Sequence, residues 1–458
     1  MNDTPAFHFR PDRMPSLLLT RIVSHVRSYG KRRSLIASVL AIAMTACHGL
    51  DVSDPTLIRD QDIANASGAN ARRINASGEL SVQMTHLASD VAKITDELQI
   101  DRPLGASFDL LDNRDSQGYE TNSGTDEGYL GFLDRIFYET TFAIPAIRAY
   151  TPDSLKGDFL AQMYAIRGYT ILQAAEDICS GFPLNDVTDD NQPLYSGPLT
   201  TDSAVAFASA QLDSAIKYVH DSTRFATLAR VAKGRSLLDQ GKYSEAAAAV
   251  ASVATTDVYQ TESDNNTLSY FMSLDQWSQG GYNIAVGNYE GINGLPFATA
   301  HDPRIPTQIA GTSATDSTDT LYVTTKYPDP TTPMVLASGI EARLIEAEAA
   351  INAHDGSWLT ILNTLRATVG LPDLVDPGTV TAQIDTLYSE RAFWLYLTGR
   401  RLGDLRRLIK NYGRDPESVF PTGPYVLGGL YRSATAIPFV LAAERKGNPK
   451  ITTGCAAR

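Results

Sequence analysis

The chain is poor in the residues from which catalytic and metal centres are usually assembled. It has three cysteines and seven histidines in 458 residues. His48, His86, His220, His301 and His354 are scattered, with no pair at i and i+4 and no cysteine placed to complete a zinc site, which excludes the compact zinc motifs. There is no G-x-S-x-G elbow for a serine nucleophile and no Cys-x-x-Cys for thiol redox chemistry. Basic residues are also in deficit, 39 Lys and Arg against 52 Asp and Glu, a formal charge of −13. That balance argues against a nucleic-acid backbone or an anionic membrane face as partner, because both reward clusters of Lys and Arg. Long apolar runs are missing too. A spanning helix needs roughly 20 apolar residues, and the longest greasy stretch, Leu35 to Cys47, falls well short.

That stretch follows Lys31, Arg32 and Arg33 and ends in small residues, the three-part pattern of a secretion signal. Met44-Thr45-Ala46-Cys47 resembles a bacterial lipobox, in which the cysteine becomes the lipidated first residue of the mature protein, with Met44 in the place usually held by Leu. An ordinary cleaved signal with a chance cysteine is the alternative, and Arg32-Arg33 fits a twin-arginine signal poorly. Translation starting at Met14 or later would shorten the long leader. Residues 1–46 are read as signal peptide, 47–78 as a lipidated N-terminal tether rich in Asn, Asp, Ser and Ala, and 79–458 as the folded domain. Discounting the seven basic and two acidic residues of the leader moves the charge to −18. In an oxidising compartment Cys179 and Cys455 are candidates for a disulfide, with two free buried thiols as the alternative.

Past the tether, helical periodicity dominates. Leu80, Met84, Leu87, Val91, Ile94 and Leu98 form one stripe. Others run through residues 129–150, 155–178, 204–219, 225–238, 243–253, 336–351, 359–368, 380–397 and 402–409. Strand-like alternation is scarce, so the chain is mainly α. Between the stripes lie long non-helical segments at 109–125, 181–202, 255–332 and 415–433. Such loops are uncommon in compact domains unless they serve a function, which makes the helices a scaffold and the loops the place for recognition.

One helical pair is specific. In ATLARVAKGRSLLDQGKYSEAAAAVASV, small Gly234, the turn Gly241-Lys242-Tyr243 and small Ala246 match a tetratricopeptide unit, with Leu237, Tyr243 and Val250 filling the seam. Gly234 to Lys242 is not a phosphate loop, since the spacing is too long and Tyr243 replaces the magnesium-binding Ser or Thr. Asn113, Asp115, Gln117 and Gly118 occupy EF-hand-like positions, but Gly124 stands where the bidentate Glu is required. Asp126 with Glu127, or Glu262 with Asp264, offers a glycosidase pair only by proximity in sequence. The cluster Arg400, Arg401, Arg406, Arg407 and Lys410 surrounds Asp404, and helical spacing predicts ion pairs of Asp404 with Arg400 and Arg407.

ERAFWLYLTGRRLGDLRRL, residues 390–408, resembles the signature helix pair of the SusD/RagB family of outer-membrane nutrient-binding lipoproteins, with Trp394 and Thr398 where the family usually carries acids. Other landmarks fall in the family's order. They are Ala165, Arg167 and Tyr169 leading to Gly181-Phe182-Pro183; Glu346, Glu348 and LNTLRATVGLP; and Ile437-Pro438, Glu444 and Asn448-Pro449. The resemblance implies an all-α, SusD-like fold of tetratricopeptide-type helix pairs forming a right-handed superhelical scaffold with long loop insertions. It implies attachment through Cys47 to the outer face of the outer membrane, as lid of a SusC-like TonB-dependent barrel. It further implies an oligosaccharide or peptide ligand, no cofactor, no metal and no catalysis.

A sugar chain would be gripped by aromatic faces flanked by amides and carboxylates. Tyr119, Trp277, Tyr282 and Tyr289 lie in the long loops beside Asn283, Asn288 and Asp275, and are the candidate ligand contacts. Two rival readings stand beside this one: a surface glycoside hydrolase, and a helical scaffold lipoprotein that binds only protein.

Overall fold

A computed structural model describes residues 63–103, 106–118, 128–187, 192–220, 222–262, 284–329, 331–439 and 447–454. Cys47, Tyr119, Trp277, Tyr282 and Cys455 lie outside them.

The first helix among the described residues, α1 (Ala66–Ile94), is longer than its hydrophobic stripe. Asn65 caps it by accepting from Gly68 N–H at 3.0 Å, and Gly68, Ala69, Ala76 and Ser77 are buried. Residues 66–78, assigned to the tether on composition, are therefore helix. Small residues bury against neighbours without leaving an apolar pattern to read. Leu98, counted in the same stripe, belongs to strand β1 (Leu98–Ile100).

A short helix α2 (Ala106–Asp112) follows, beginning before and running into a segment read as non-helical. The scaffold continues through α3 (Gly128–Tyr150), α4 (Asp153–Asp177), α5 (Thr201–Tyr218), α6 (Thr223–Asp239) and α7 (Tyr243–Val250). Helix α3 packs on α1, and from α3 to α7 each helix packs on the next, α4 most extensively on α5. Glycines permit the closest approaches. A Cβ on Gly168 of α4 would sit 2.7 Å from Leu212 Cγ of α5. One on Gly234 of α6 would sit 2.6 Å from Val250 Cγ1 of α7 and 3.4 Å from Ala246 O. This is the close antiparallel contact that the tetratricopeptide spacing predicts.

The chain then makes a long excursion and returns to its starting place. Strand β4 (Val258–Gln260) leaves and pairs antiparallel with β8 (Val335–Ser338), so Leu336 is in a strand. Inside the excursion, β5 (Ile284–Val286) pairs with β1, and β6 (Thr307–Thr312) pairs with β7 (Thr320–Thr324) through a bulge at Ile309/Gly311. The short β2 (Asp186–Val187) and β3 (Pro193–Leu194) pair with each other. Helices resume with α8 (Gly339–Asn352), α9 (Ser357–Ala367), α10 (Val380–Trp394), α11 (Arg401–Tyr412) and the single turn α12 (Pro416–Val419). The closing segment runs back to the end of α4. Ile437 N–H donates to Asp177 O at 2.8 Å, and buried Asn448 donates to Asn185 and Ser196. The fold is all-α and tetratricopeptide-like, and the described residues belong to one compact unit beginning at Asp60. No helix among them is long and apolar enough to cross a membrane.

Candidate ligand-binding face

The excursion reaches solvent at a turn that follows β5. Gly287 fits against the backbone of Asp96, where a Cβ would come within 2.1 Å of the carbonyl oxygen, and its N–H donates to Glu97 O. Tyr289 then takes the left-handed conformation, φ 54°, which a bulky residue adopts only when its surroundings hold it there. Three bonds do so: Tyr289 N–H donates to Leu295 O, Gly294 N–H to Glu290 O and Ile292 N–H to Thr422 O. Asn293 adds donations to Glu417 O, Phe420 O and Thr422 Oγ1. The Ile292 bond and the Asn293 bonds to Phe420 and Thr422 fasten the turn to a second loop, 420–434, and the Asn293 bond to Glu417 ties it to α12.

That second loop is anchored by Arg114. Its own φ is 57°, and its side chain donates to Ala434 O at 2.9 Å, Pro421 O at 2.6 Å and Glu417 Oε1 at 3.0 Å. Gly423 lies against Ile292, and Tyr431 N–H donates to Gly423 O to close a tight hairpin. Beneath the two loops, Tyr425 Oη donates to Asp112 and Tyr431 Oη to Glu290, each at 2.8 Å. Above them Tyr289 is 62% exposed, Ile292 72% and Leu430 65%. A rigid turn thus holds an aromatic ring and an aliphatic side chain out to solvent, over a buried polar base. Such a surface can stack against the apolar face of a sugar or a peptide side chain.

Of the four predicted aromatics the structure places Tyr289, on this turn; the other three are outside the described residues, as are Asp275 and Asn283. Asn288 accepts from Thr299 Oγ1 at 2.7 Å. Ile292, Leu430 and the anchoring Arg114 were not among the sequence candidates. The long non-helical segment 415–433 was the available signal, but nothing in it shows that it meets the 284–297 turn.

The other sequence candidates resolve differently. Glu262 pairs with Arg224 at 2.7 Å; Asp126, Glu127 and Asp264 lie outside the described residues. Asp115 Oδ1 accepts from Gly118 N–H, and among the described residues no three His, Cys, Asp or Glu converge as metal ligands. Around Asp404 one predicted pair forms and one does not. Arg407 reaches Asp404 at 2.8 Å, but Arg400 caps α11 from outside its first turn and turns to Tyr169 and Gln173 of α4. Arg391 of α10 takes its place, donating Nε and Nη2 to Asp404 at 2.8 Å each. Arg401 grips Asp96, in the turn between α1 and β1, bidentately, and Arg406 caps the end of α4 by donating to the carbonyls of Ala175, Glu176 and Ile178. The cavity of about 280 Å³ between α4, α5 and α11 is lined by Arg406, Arg407 and Lys410. Arg407 is paired there with Asp239 and Lys410 with Asp202. Trp394, where acid is usual, receives the Arg304 guanidinium 5.1 Å from its ring. Cys179 is buried and disulfide-bonded.

No protein-family model matches the chain, and no curated protein does. Solved structures do match. A SusD-like carbohydrate-binding protein from Bacteroides vulgatus aligns with TM-score 0.56 at 15% identity, covering 75% of this chain and 83% of that one. Surface glycan-binding protein A from Bacteroides uniformis aligns at 0.63 and 14%, over 85% and 99%. Its namesake from Bacteroides thetaiotaomicron aligns at 0.63 and 14%, over 86% and 100%. The tetratricopeptide-like helix pairs, the long excursion between α7 and α8 and these alignments lead to one conclusion: the chain has the SusD-like fold.

Proposed function

We propose that this protein is a SusD/RagB-type surface lipoprotein that binds a glycan, or a peptide, and passes it to a TonB-dependent outer-membrane transporter. The observation that carries the binding role is the Tyr289 turn: an exposed ring fixed in a strained backbone position by contacts to a second loop, on a scaffold shared with proteins described as carbohydrate- and glycan-binding. The lipobox-like Met44-Thr45-Ala46-Cys47 supports the anchor. Each buried acyl methylene contributes about 0.8 kcal/mol, so two or more chains retain a protein on a bilayer without a spanning helix. If the Cys47 sulfur carries lipid as a thioether it cannot also form a disulfide, which leaves Cys455 as the partner of Cys179.

Calorimetric titration with an oligosaccharide panel, followed by product analysis, tests the reading. Stacking contributes about 1 kcal/mol beyond area burial, so Tyr289→Ala weakens the best saccharide by about tenfold or more while the fold is kept. Shortened products that depend on one Asp or Glu would instead establish a glycosidase. Fatty-acid labelling that is equal in wild type and Cys47→Ala would remove the anchor.

A further inference from the structure

Two carboxyl groups lie beneath the Tyr289 turn, and no ion pair to either is found among the described residues. Asp112, at the end of α2, is 1% exposed and Glu290 is 2% exposed. Asp112 accepts from Tyr425 Oη at 2.8 Å and, at 3.4 Å, from Ile100 N–H. Glu290 Oε1 accepts from Tyr431 Oη at 2.8 Å, and Oε2 has no partner. The two phenol rings meet edge to face at 5.1 Å, so the acids and phenols form one cluster.

The surrounding charges are committed elsewhere. Lys93 of α1, which attracts Asp112, pairs with Asp90 at 2.9 Å. Asp96, which repels Glu290, is bound by Arg401 of α11 at 2.7 Å. Arg114 points to Glu417 of α12 and to loop carbonyls. Asp109 of α2 adds a further negative charge near Asp112. Ionising both acids would leave two anions with little beyond two phenol donors. Burial pushes Asp112 up to about 7, and burial followed by the repulsion of Asp112 pushes Glu290 well above the usual carboxylate range.

We propose that Asp112 and Glu290 position the Tyr289 turn through a retained proton, so that the ligand face is held in place while the pair is protonated and is released as it ionises. Glu290 adjoins Tyr289, and both phenols sit on the hairpin to which Ile292 is tied, so losing the cluster loosens both loops together. The proton latch is a property of the unliganded protein; only its consequence for binding rests on the proposed function.

The sign follows from linkage. In an opened state the carboxyls are hydrated and titrate near their ordinary values, whereas the closed state keeps its proton to higher pH. Between those limits opening releases a proton, and the opening constant rises about tenfold per pH unit for each acid that remains protonated when closed. Hydrogen exchange of peptides covering 284–297 and 420–434, corrected for intrinsic chemistry, reads this directly. Wild type is expected to lose about 100-fold or more in protection from pH 5 to pH 7, and the doubly neutral Asp112→Asn/Glu290→Gln variant to change less than threefold. Wild-type protection that does not change over this range would overturn the proposal. If the double variant does not fold, the infrared band of buried protonated carboxyls at pH 7, compared between wild type and the single Glu290→Gln variant, decides the matter: intensity lost in the variant supports the latch and an unchanged band refutes it. A pH-dependent latch with saccharide affinity unmoved by Tyr289→Ala would leave the latch standing and sink only the ligand reading.

Discussion

Replacing Asp404 with alanine removes the acceptor shared by two buried arginines. Arg391 has no accessible surface and donates Nε and Nη2 to this carboxylate, and Arg407 donates a third bond, all at 2.8 Å. Burial alone would raise the Asp404 carboxyl, yet Arg391 and then Arg407 hold it below its ordinary range, so it is ionised at neutral pH. After the substitution Arg407 keeps Glu348 and Asp239. Arg391, whose Nη1 already has no partner, loses both of these bonds. Stranding one buried partner typically costs about 3–5 kcal/mol, and the expected loss is in that range. Urea denaturation at pH 7, followed by far-ultraviolet circular dichroism and tyrosine fluorescence with coincident transitions, measures it. Removing both charges in Arg391→Met/Asp404→Leu leaves no stranded cation and is expected to cost less than Asp404→Ala alone. A single-variant loss below about 1 kcal/mol, or a double variant worse than the single, would refute the reasoning.

Two further predictions concern packing and pH. Gly234→Ala should raise helix propensity by about 1 kcal/mol, but its Cβ would lie 2.6 Å from stiff Val250 and 3.2 Å from Ile345 Cδ1. Overpacking of about 1–3 kcal/mol then wins; a thermal melt should show a lower midpoint, recovered in part by Val250→Ala, and an unchanged midpoint would contradict the close helix contact. His86, packed 5.1 Å from Phe132, is pushed down to about 4 by burial. Below pH 6.5 the unfolded chain takes up a proton that the folded chain refuses, so stability falls as pH drops toward 4, by up to about 3 kcal/mol from this group. The difference in denaturation midpoint between pH 7 and pH 4.5 should shrink in His86→Phe, and an equal difference in both proteins would exclude the assignment.

What the sequence determined by itself was local. The stripe from Leu80 to Ile94, the pairing of Gly234 with Ala246 and the Asp404–Arg407 contact each depend on residues one or two turns apart or on one short hairpin, and each appears in the fold. Where local pattern was weak the sequence misled. The start of α1 buries alanine, glycine and serine, which cost little to bury and leave no hydrophobic period, so it read as tether. Only the tertiary structure decided which loops meet. Asp112, Glu290, Tyr425 and Tyr431 come from three distant segments, as do Arg401 with Asp96 and Arg391 with Asp404 from different elements. A guanidinium in the interior takes whichever carboxylate packing brings within reach, because leaving water without a partner is costly. Sequence spacing limits that choice only within a turn of helix; beyond it, chain closure and core packing choose.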